Sequence, residues 1–149
     1  MMYLFSYIYS QCKSLGPSVV GQKGDAIGPF YGIAPEKTPF NYMVYTVSGG
    51  GPIQGNLDGK QTYIGYPFVA IDVYCSGSSG ASQALQNVES VCKLFDTVTN
   101  QTIGDDVVIH FQRQGEPSLV PEETDKDNNR VYHASVGYKA VMHRHFYGV

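Results

Sequence analysis

Residues 63–75 read YIGYPFVAIDVYC, and this stretch decides the fold class that the sequence predicts. Its aromatic and β-branched residues are typical of a β-strand. Alternate side chains of a strand point to opposite faces of a sheet, so one face carries Val69, Ile71, Val73 and Cys75. Such an apolar face needs a second layer that covers it.

The residues after this strand supply the covering layer. A linker of small residues, 76–80, is followed by an amphipathic pattern over residues 81–98, with Ser78 or Ser79 available as the N-cap. Apolar side chains recur there every three or four residues, at Ala81, Ala84, Leu85, Val88, Val91, Cys92, Phe95 and Val98. We predict a helix over residues 81–98 that packs on the valine face of the strand, with Leu85 and Phe95 both in the core.

The remaining pattern predicts one domain that spans residues 1–149. Apolar periodicity indicates a short helix over residues 2–13 and strands over residues 40–47, 107–113 and 131–146. Glycine, proline and charged residues predict irregular structure over residues 15–39 and loops over residues 48–60 and 114–130. The expected fold is therefore α+β, an antiparallel sheet of about four strands with the long helix and the short N-terminal helix on one face.

The composition bears on the class of partner. The chain has 149 residues, a formal net charge of −3 and only 15% charged residues, which disfavours a protein that binds nucleic acid over its whole surface. It also has 12 tyrosines, a residue enriched at protein–protein interfaces. The alternative is that these tyrosines are ordinary strand residues.

The three cysteines and the N-terminus bear on the compartment. Cys12, Cys75 and Cys92 form an odd set without a short pairing motif, so we expect small buried side chains in a reducing environment. Residues 1–11 lack the basic start of a signal peptide, and we expect no membrane span. These features favour a protein of the cytosol.

The motifs that could carry chemistry are weak. Residues 55–60 (GNLDGK) have the wrong glycine spacing for a phosphate-binding loop and lead into a strand rather than a helix. His143 and His145 share a strand face, but the local sequence offers no further metal ligand. Asp72, the carboxylate inside a strand, is expected to point outward or into an interface. We expect no catalytic residue, no cofactor and no metal site.

Several of these segments resemble the tail terminator, or tail completion, proteins of long-tailed bacteriophages. Residues 39–45 (PFNYMVY) and 69–74 (VAIDVY) are similar to two strand patterns of that family. Residues 76–96 resemble its small-residue linker and long helix, and residues 132–146 resemble its closing strand. The similarity covers most of the chain from about residue 38 onward, and it consists of hydrophobic patterns rather than catalytic motifs.

The resemblance implies a structural virion protein rather than an enzyme. Members form a hexameric ring at the head-proximal end of the tail, assembled in the host cytoplasm, which terminates polymerisation of the tail tube. The tail tube protein would bind one face and the head connector the other, while DNA passes through the lumen without specific binding. The alternatives are a neck or head-completion protein, another tail or baseplate protein, an isolated protein-binding adaptor, and a small ligand-binding or enzymatic domain.

Two groups of residues are candidates for roles in such a ring. An acidic segment would line the lumen or an interface, because carboxylates repel DNA phosphates: Glu116, Glu122, Glu123, Asp125 and Asp127. A hairpin would contact neighbouring subunits through Gly49, Gly50, Gly51, Pro52, Gln54, Asp58 and Lys60.

Overall fold

The computed structural model describes residues 2–49, 53–57, 60–103, 107–124 and 128–146. Within them the helices are α1 (Met2–Lys13), α2 (Pro17–Val20) and α3 (Gly80–Phe95). The strands of the first half are β1 (Gln22–Lys23), β2 (Ala26–Ile27), β3 (Phe30–Tyr31), β4 (Tyr42–Ser48), β5 (Ile53–Leu57), β6 (Lys60–Gly65) and β7 (Phe68–Ser76). The second half contains β8 (Gln101–Ile103), β9 (Val107–Arg113), β10 (Ser118–Thr124) and β11 (Arg130–Phe146).

The long strand β11 organises the sheet, because it pairs antiparallel with four other strands. Strands β7 and β6 follow one another along one of its edges, and β10 and β9 follow one another along the other edge. The register shows this division: Tyr138 pairs with Val69 of β7 and with Arg113 of β9. Tyr132 likewise pairs with Cys75 of β7 and with Pro121 of β10.

Short breaks separate the two strands on each edge of β11. Between β6 and β7 lie Tyr66 and Pro67, and the amide of Ala140 donates a hydrogen bond of 2.9 Å to the carbonyl of Pro67. Between β9 and β10 the amide of Gln114 donates to the carbonyl of Gly137 at 2.8 Å. The breaks therefore leave the backbone of β11 hydrogen-bonded where the neighbouring strand changes.

The outer strands extend the sheet to nine strands in the described residues. Strand β4 pairs antiparallel with β7, β3 pairs parallel with β4, β5 pairs with β6, and β8 pairs with β9. Seven of these strands have five or more residues, whereas β3 and β8 have two and three. Strands β1 and β2 form a separate small sheet.

The structure is mostly β, so the predicted fold of about four antiparallel strands under helices is wrong. Strands β5 and β10 occupy segments that the sequence predicted to be loops, because backbone pairing with β6 and β11 outweighs their glycine and charge content. The strand predicted over residues 63–75 is divided at Pro67, and residues 15–39 contain α2 and three very short strands. The predicted strand over residues 107–113 is confirmed.

The core lies between one face of the sheet and the helices. The helix α3 packs on β7, as predicted, and also on β11, and Val69, Ile71 and Val73 are fully buried beneath it. The ring of Phe95 lies 4.9 Å from that of Phe111, measured between centroids. The helix α1, confirmed over residues 2–13, buries Leu4, Ile8 and Cys12 in the same core.

The prediction that Leu85 lies in the core is wrong, since its side chain is 40% exposed. The helix ends at Phe95 rather than at residue 98, so seven of the eight apolar residues of the repeat lie in α3. They make a wide stripe, and the contact with the sheet is centred on Ala84, Val88, Val91 and Phe95. Leu85 lies at the margin of that stripe.

The different burial of Phe95 and Leu85 makes a matched pair of substitutions. We expect Phe95→Ala to lower the free energy of unfolding by about 3–5 kcal/mol, because it leaves a cavity among closely packed rings. Leu85→Ala, on the same helix, should cost less than about 1 kcal/mol. Urea denaturation of the two variants measures both values, and equal losses would contradict the packing described above.

Candidate functional site

The face of the sheet opposite the helices carries a row of side chains that crosses four strands. The register places Tyr42 of β4 opposite Tyr74 of β7, Tyr74 opposite His133 of β11, and His133 opposite Val120 of β10. The described helices bury their apolar residues on the other side, in the core. We call this surface the open face, and the row runs across it from one side to the other.

The rings of this row are stacked on one another. The ring centroids of Phe40 and Tyr42 lie 5.2 Å apart, those of Tyr42 and Tyr74 lie 5.0 Å apart, and those of Tyr74 and His133 lie 4.6 Å apart. The last pair is nearly parallel, with an angle of 7° between the ring planes. Stacked cross-strand pairs stabilise the sheet, and they also fix the rings as a flat surface.

A hydrogen bond ties the row to the next position on the open face. The Nε2 atom of His133 lies 2.7 Å from Oδ1 of Asp72, and Asp72 is paired in register with Ser135. The side chains of His133 and Asp72 are 22% and 21% exposed. A carboxylate that orients an imidazole is a component of acid–base catalysis. Here the pair also joins β7 to β11 and holds the imidazole ring parallel to Tyr74.

A cleft opens beside one end of the row. It has a volume of about 410 Å³ and lies between the segment 32–38 and the sheet, with Phe40, Tyr42 and Tyr74 among its lining residues. Burial raises the pKa of the Tyr42 hydroxyl. Lys37 brings a positive charge to the rim, and Ile33, also in the lining, is 82% exposed. The cleft combines apolar rings with a few polar groups.

The other end of the open face has two further aromatic contacts. A Cβ atom at Gly137 would lie 2.5 Å from the Cζ atom of Phe68, so the glycine leaves room for this ring, which is 42% exposed. The Nζ atom of Lys139 lies 4.7 Å from the centroid of Tyr66, a cation–π contact. Exposed aromatic rings therefore occur at both ends of the open face.

A polar cluster lies on the helix side of the sheet, next to α3. The hydroxyl of Tyr138 donates a hydrogen bond of 2.8 Å to Asp96, and Arg113 forms ion pairs with Asp96 at 3.6 Å and with Glu116 at 3.8 Å. Burial, together with the bonds to Cys92 and Asp96, raises the pKa of Tyr138. The arrangement holds the end of α3 against β9 and borders a groove of about 570 Å³.

The described residues of the two predicted groups lie on different sides of β11. Glu116 is exposed in the turn before β10, and Glu122 and Glu123 lie in β10 itself. Gly49 follows β4, Gln54 lies in β5 and Lys60 begins β6, on the opposite edge of β11. Asp125, Asp127, Gly50, Gly51, Pro52 and Asp58 lie outside the described residues.

The row on the open face cannot be recognised in the sequence pattern. Asp72 lies on the outward face of its strand, as the sequence predicted, but its pairing with His133, 61 residues away, cannot be read from a periodic pattern. Among the described residues, no group of three His, Cys, Asp or Glu side chains is placed to hold a metal ion. No described helix is long and apolar enough to cross a membrane.

Comparison with known proteins does not assign this chain to a family. No protein-family model matches it, and no curated protein matches it.

The contact between His133 and Asp72 can be measured by a double-mutant cycle. We expect His133→Phe, which keeps a stacking ring, and Asp72→Asn each to lower the free energy of unfolding, with a coupling energy of roughly 1 kcal/mol between them. Urea denaturation of the wild type, both single variants and the double variant gives that energy. Strictly additive losses would show that the hydrogen bond contributes nothing.

The buried thiols predict a loss of stability at high pH. Burial raises the pKa of Cys12 to about 12 and that of Cys75 to about 11. Thiols of the unfolded chain release their protons near pH 8.5, so between those values the unfolded state binds fewer protons than the folded state. The free energy of unfolding should therefore fall by roughly 1 kcal/mol or more per pH unit above about pH 9.

Urea denaturation at pH 7, 9 and 10 tests this dependence. In Cys75→Ala the decline should be shallower, although the variant is less stable at pH 7 because of its cavity. A free energy that is level or rising across this range would contradict the burial of the thiols.

Proposed function

We propose that this protein is a structural subunit of a bacteriophage tail, which forms a ring on the end of the tail tube and terminates its polymerisation. The observation that carries this proposal is the open face, a sheet surface with stacked and partly exposed rings and no described helix over it. The resemblance of residues 39–45, 69–74, 76–96 and 132–146 to tail terminator proteins supports the same function.

The open face has the chemistry of a protein–protein interface. Phe40 is 37% exposed, Phe68 is 42% exposed and Val120 is 50% exposed, and the tyrosines between them keep a polar group beside a large apolar ring. Aromatic residues are enriched at interfaces. Since the rings are fixed by strands that are already paired, little further ordering is needed when a partner binds.

A ring requires two kinds of contact, and the open face supplies one of them. Subunits must join side by side through heterologous surfaces that close by rotation, and the ring must also bind the components above and below it. We assign the open face to the second contact, with the tail tube protein or the head connector. Glu116 is 88% exposed in the turn before β10, and its carboxylate would repel DNA if this turn lines the lumen of the ring.

The cleft beside the row favours a second candidate function, the binding of a small ligand. Rings of Phe40, Tyr42 and Tyr74 line it, and Lys37 could pair with an acidic group. A tyrosine-lined site of this kind would change the fluorescence of the protein when it is occupied, so a fluorescence titration with a small-molecule library separates this candidate from the first.

Mass and tube length together test the proposed function. Native mass spectrometry should show a discrete multiple of the 16.3 kDa chain, and the assembled protein should stop the growth of tail tubes when it is added to polymerising tube protein. Phe40→Ser/Phe68→Ser should keep that mass and lose the capping, because it removes apolar contacts from the open face.

The matched control is Leu85→Ser, which changes an apolar side chain of similar exposure on the opposite side of the molecule. This variant should keep both the mass and the capping. A wild-type protein that stays a monomer and leaves the length of the tubes unchanged would overturn the proposal.

A further inference from the structure

We propose that the copies of the ring are joined edge to edge, with β5 of one copy paired antiparallel or parallel to β10 of the next. This inference rests on the proposed function and names the surface through which the subunits contact each other. Three observations carry it: which strands lie at the edges of the sheet, which residues those edge strands contain, and on which side of β11 each edge strand lies.

Four strands have a single paired neighbour in the described part of the chain: β3, β5, β8 and β10. Strands β3 and β8, with two and three residues, are too short to hold another chain by backbone hydrogen bonds. Strand β5 has five residues and β10 has seven. These two therefore have one edge that no other described strand pairs with, and its amides and carbonyls are available to a neighbouring strand.

The sequence of β5 lacks the features that keep edge strands apart. It reads IQGNL, without a charged residue and without proline. Natural edge strands are usually protected by lysine, proline, a bulge or very short length, because an unprotected edge pairs with other chains. In the proposed ring, an unprotected edge of this length requires a defined partner strand.

Strand β10 is protected over one half of its length and open over the other. Pro121, Glu122 and Glu123 occupy its second half, where the register with β11 also shifts. Its first half, Ser118 to Val120, has no charge, and Val120 is 50% exposed. The proline and the carboxylates leave the first half of β10 as the segment that a neighbouring strand can join.

The positions of β5 and β10 fit a ring rather than a two-fold dimer. Strand β5 pairs with β6, which pairs with one edge of β11, whereas β10 pairs with the other edge of β11. An interface between two different edges is heterologous, and repetition of such an interface gives a ring when the rotation closes. Pairing of β5 with its own copy would instead give a two-fold dimer.

Disulfide cross-linking tests this contact directly. Residues opposite one another in paired strands have Cα atoms about 4.5–5.5 Å apart, which suits a disulfide bond. Four double variants cover both faces of β5 and the exposed face of β10: Gln54→Cys or Gly55→Cys, each combined with Ser118→Cys or Val120→Cys. The three native cysteines are buried, so the background should be low.

We expect at least one double variant to give, after mild oxidation, a ladder of bands at multiples of 16.3 kDa on a non-reducing gel. The single variants and Gln54→Cys/Leu85→Cys serve as controls and should stay at the mass of one chain. Assembled particles without a ladder from any double variant would overturn the inference and leave the proposed function in place. A covalent dimer from Gln54→Cys alone would also overturn it, because β5 would then pair with itself.

A ladder from protein that does not stop tube growth would support the edge contact and overturn the proposed function. A wild-type protein that stays a monomer, with no ladder from the double variants, would overturn both.

Discussion

The whole sheet depends on the long strand β11, which pairs with two successive strands along each of its two edges. Its backbone register determines which residues meet across the sheet, and its alternation sends Ala134, Val136 and Tyr138 into the core. His133, Ser135 and Gly137 go to the open face. A shift by one residue would exchange these two sets and bury a histidine in place of an alanine. The core and the candidate site therefore share a single structural constraint.

The elements that the sequence could predict are those with a strong local period. The helix α3, the strand β9 and the alternation within β7 and β11 follow from residues close together in the chain. Strands β5 and β10 were not predicted, because glycine, proline and glutamate weaken the alternation of apolar and polar residues within them. Their stability comes from pairing with β6 and β11. Leu85 shows a further limit, since periodicity gives the face of a helix but not the point where the contact ends.

The candidate site was less predictable than the fold for a related reason. Tyr42, Tyr74 and His133 of the row occupy outward positions of strands that the sequence predicted, and alone each is an ordinary, partly exposed residue. The row exists because β4, β7 and β11 are adjacent and in one register, which brings Tyr42, Tyr74 and His133 side by side from distant parts of the chain. Adjacency and register are tertiary properties, and a single sequence carries little information on either.

The separation of core and open face has a consequence for how this protein can assemble. Substitutions on the open face leave the packing of α3 on β7 and β11 intact, so contacts with other components can change without loss of the fold. A sheet edge differs, because its hydrogen bonds come from the backbone and do not depend on side-chain identity. A ring joined through edges and bound to its neighbours through a face would thus keep its own geometry constant while its partners vary. The side chains of the open face can then adapt to each neighbour, because the strands beneath them already hold the backbone in place.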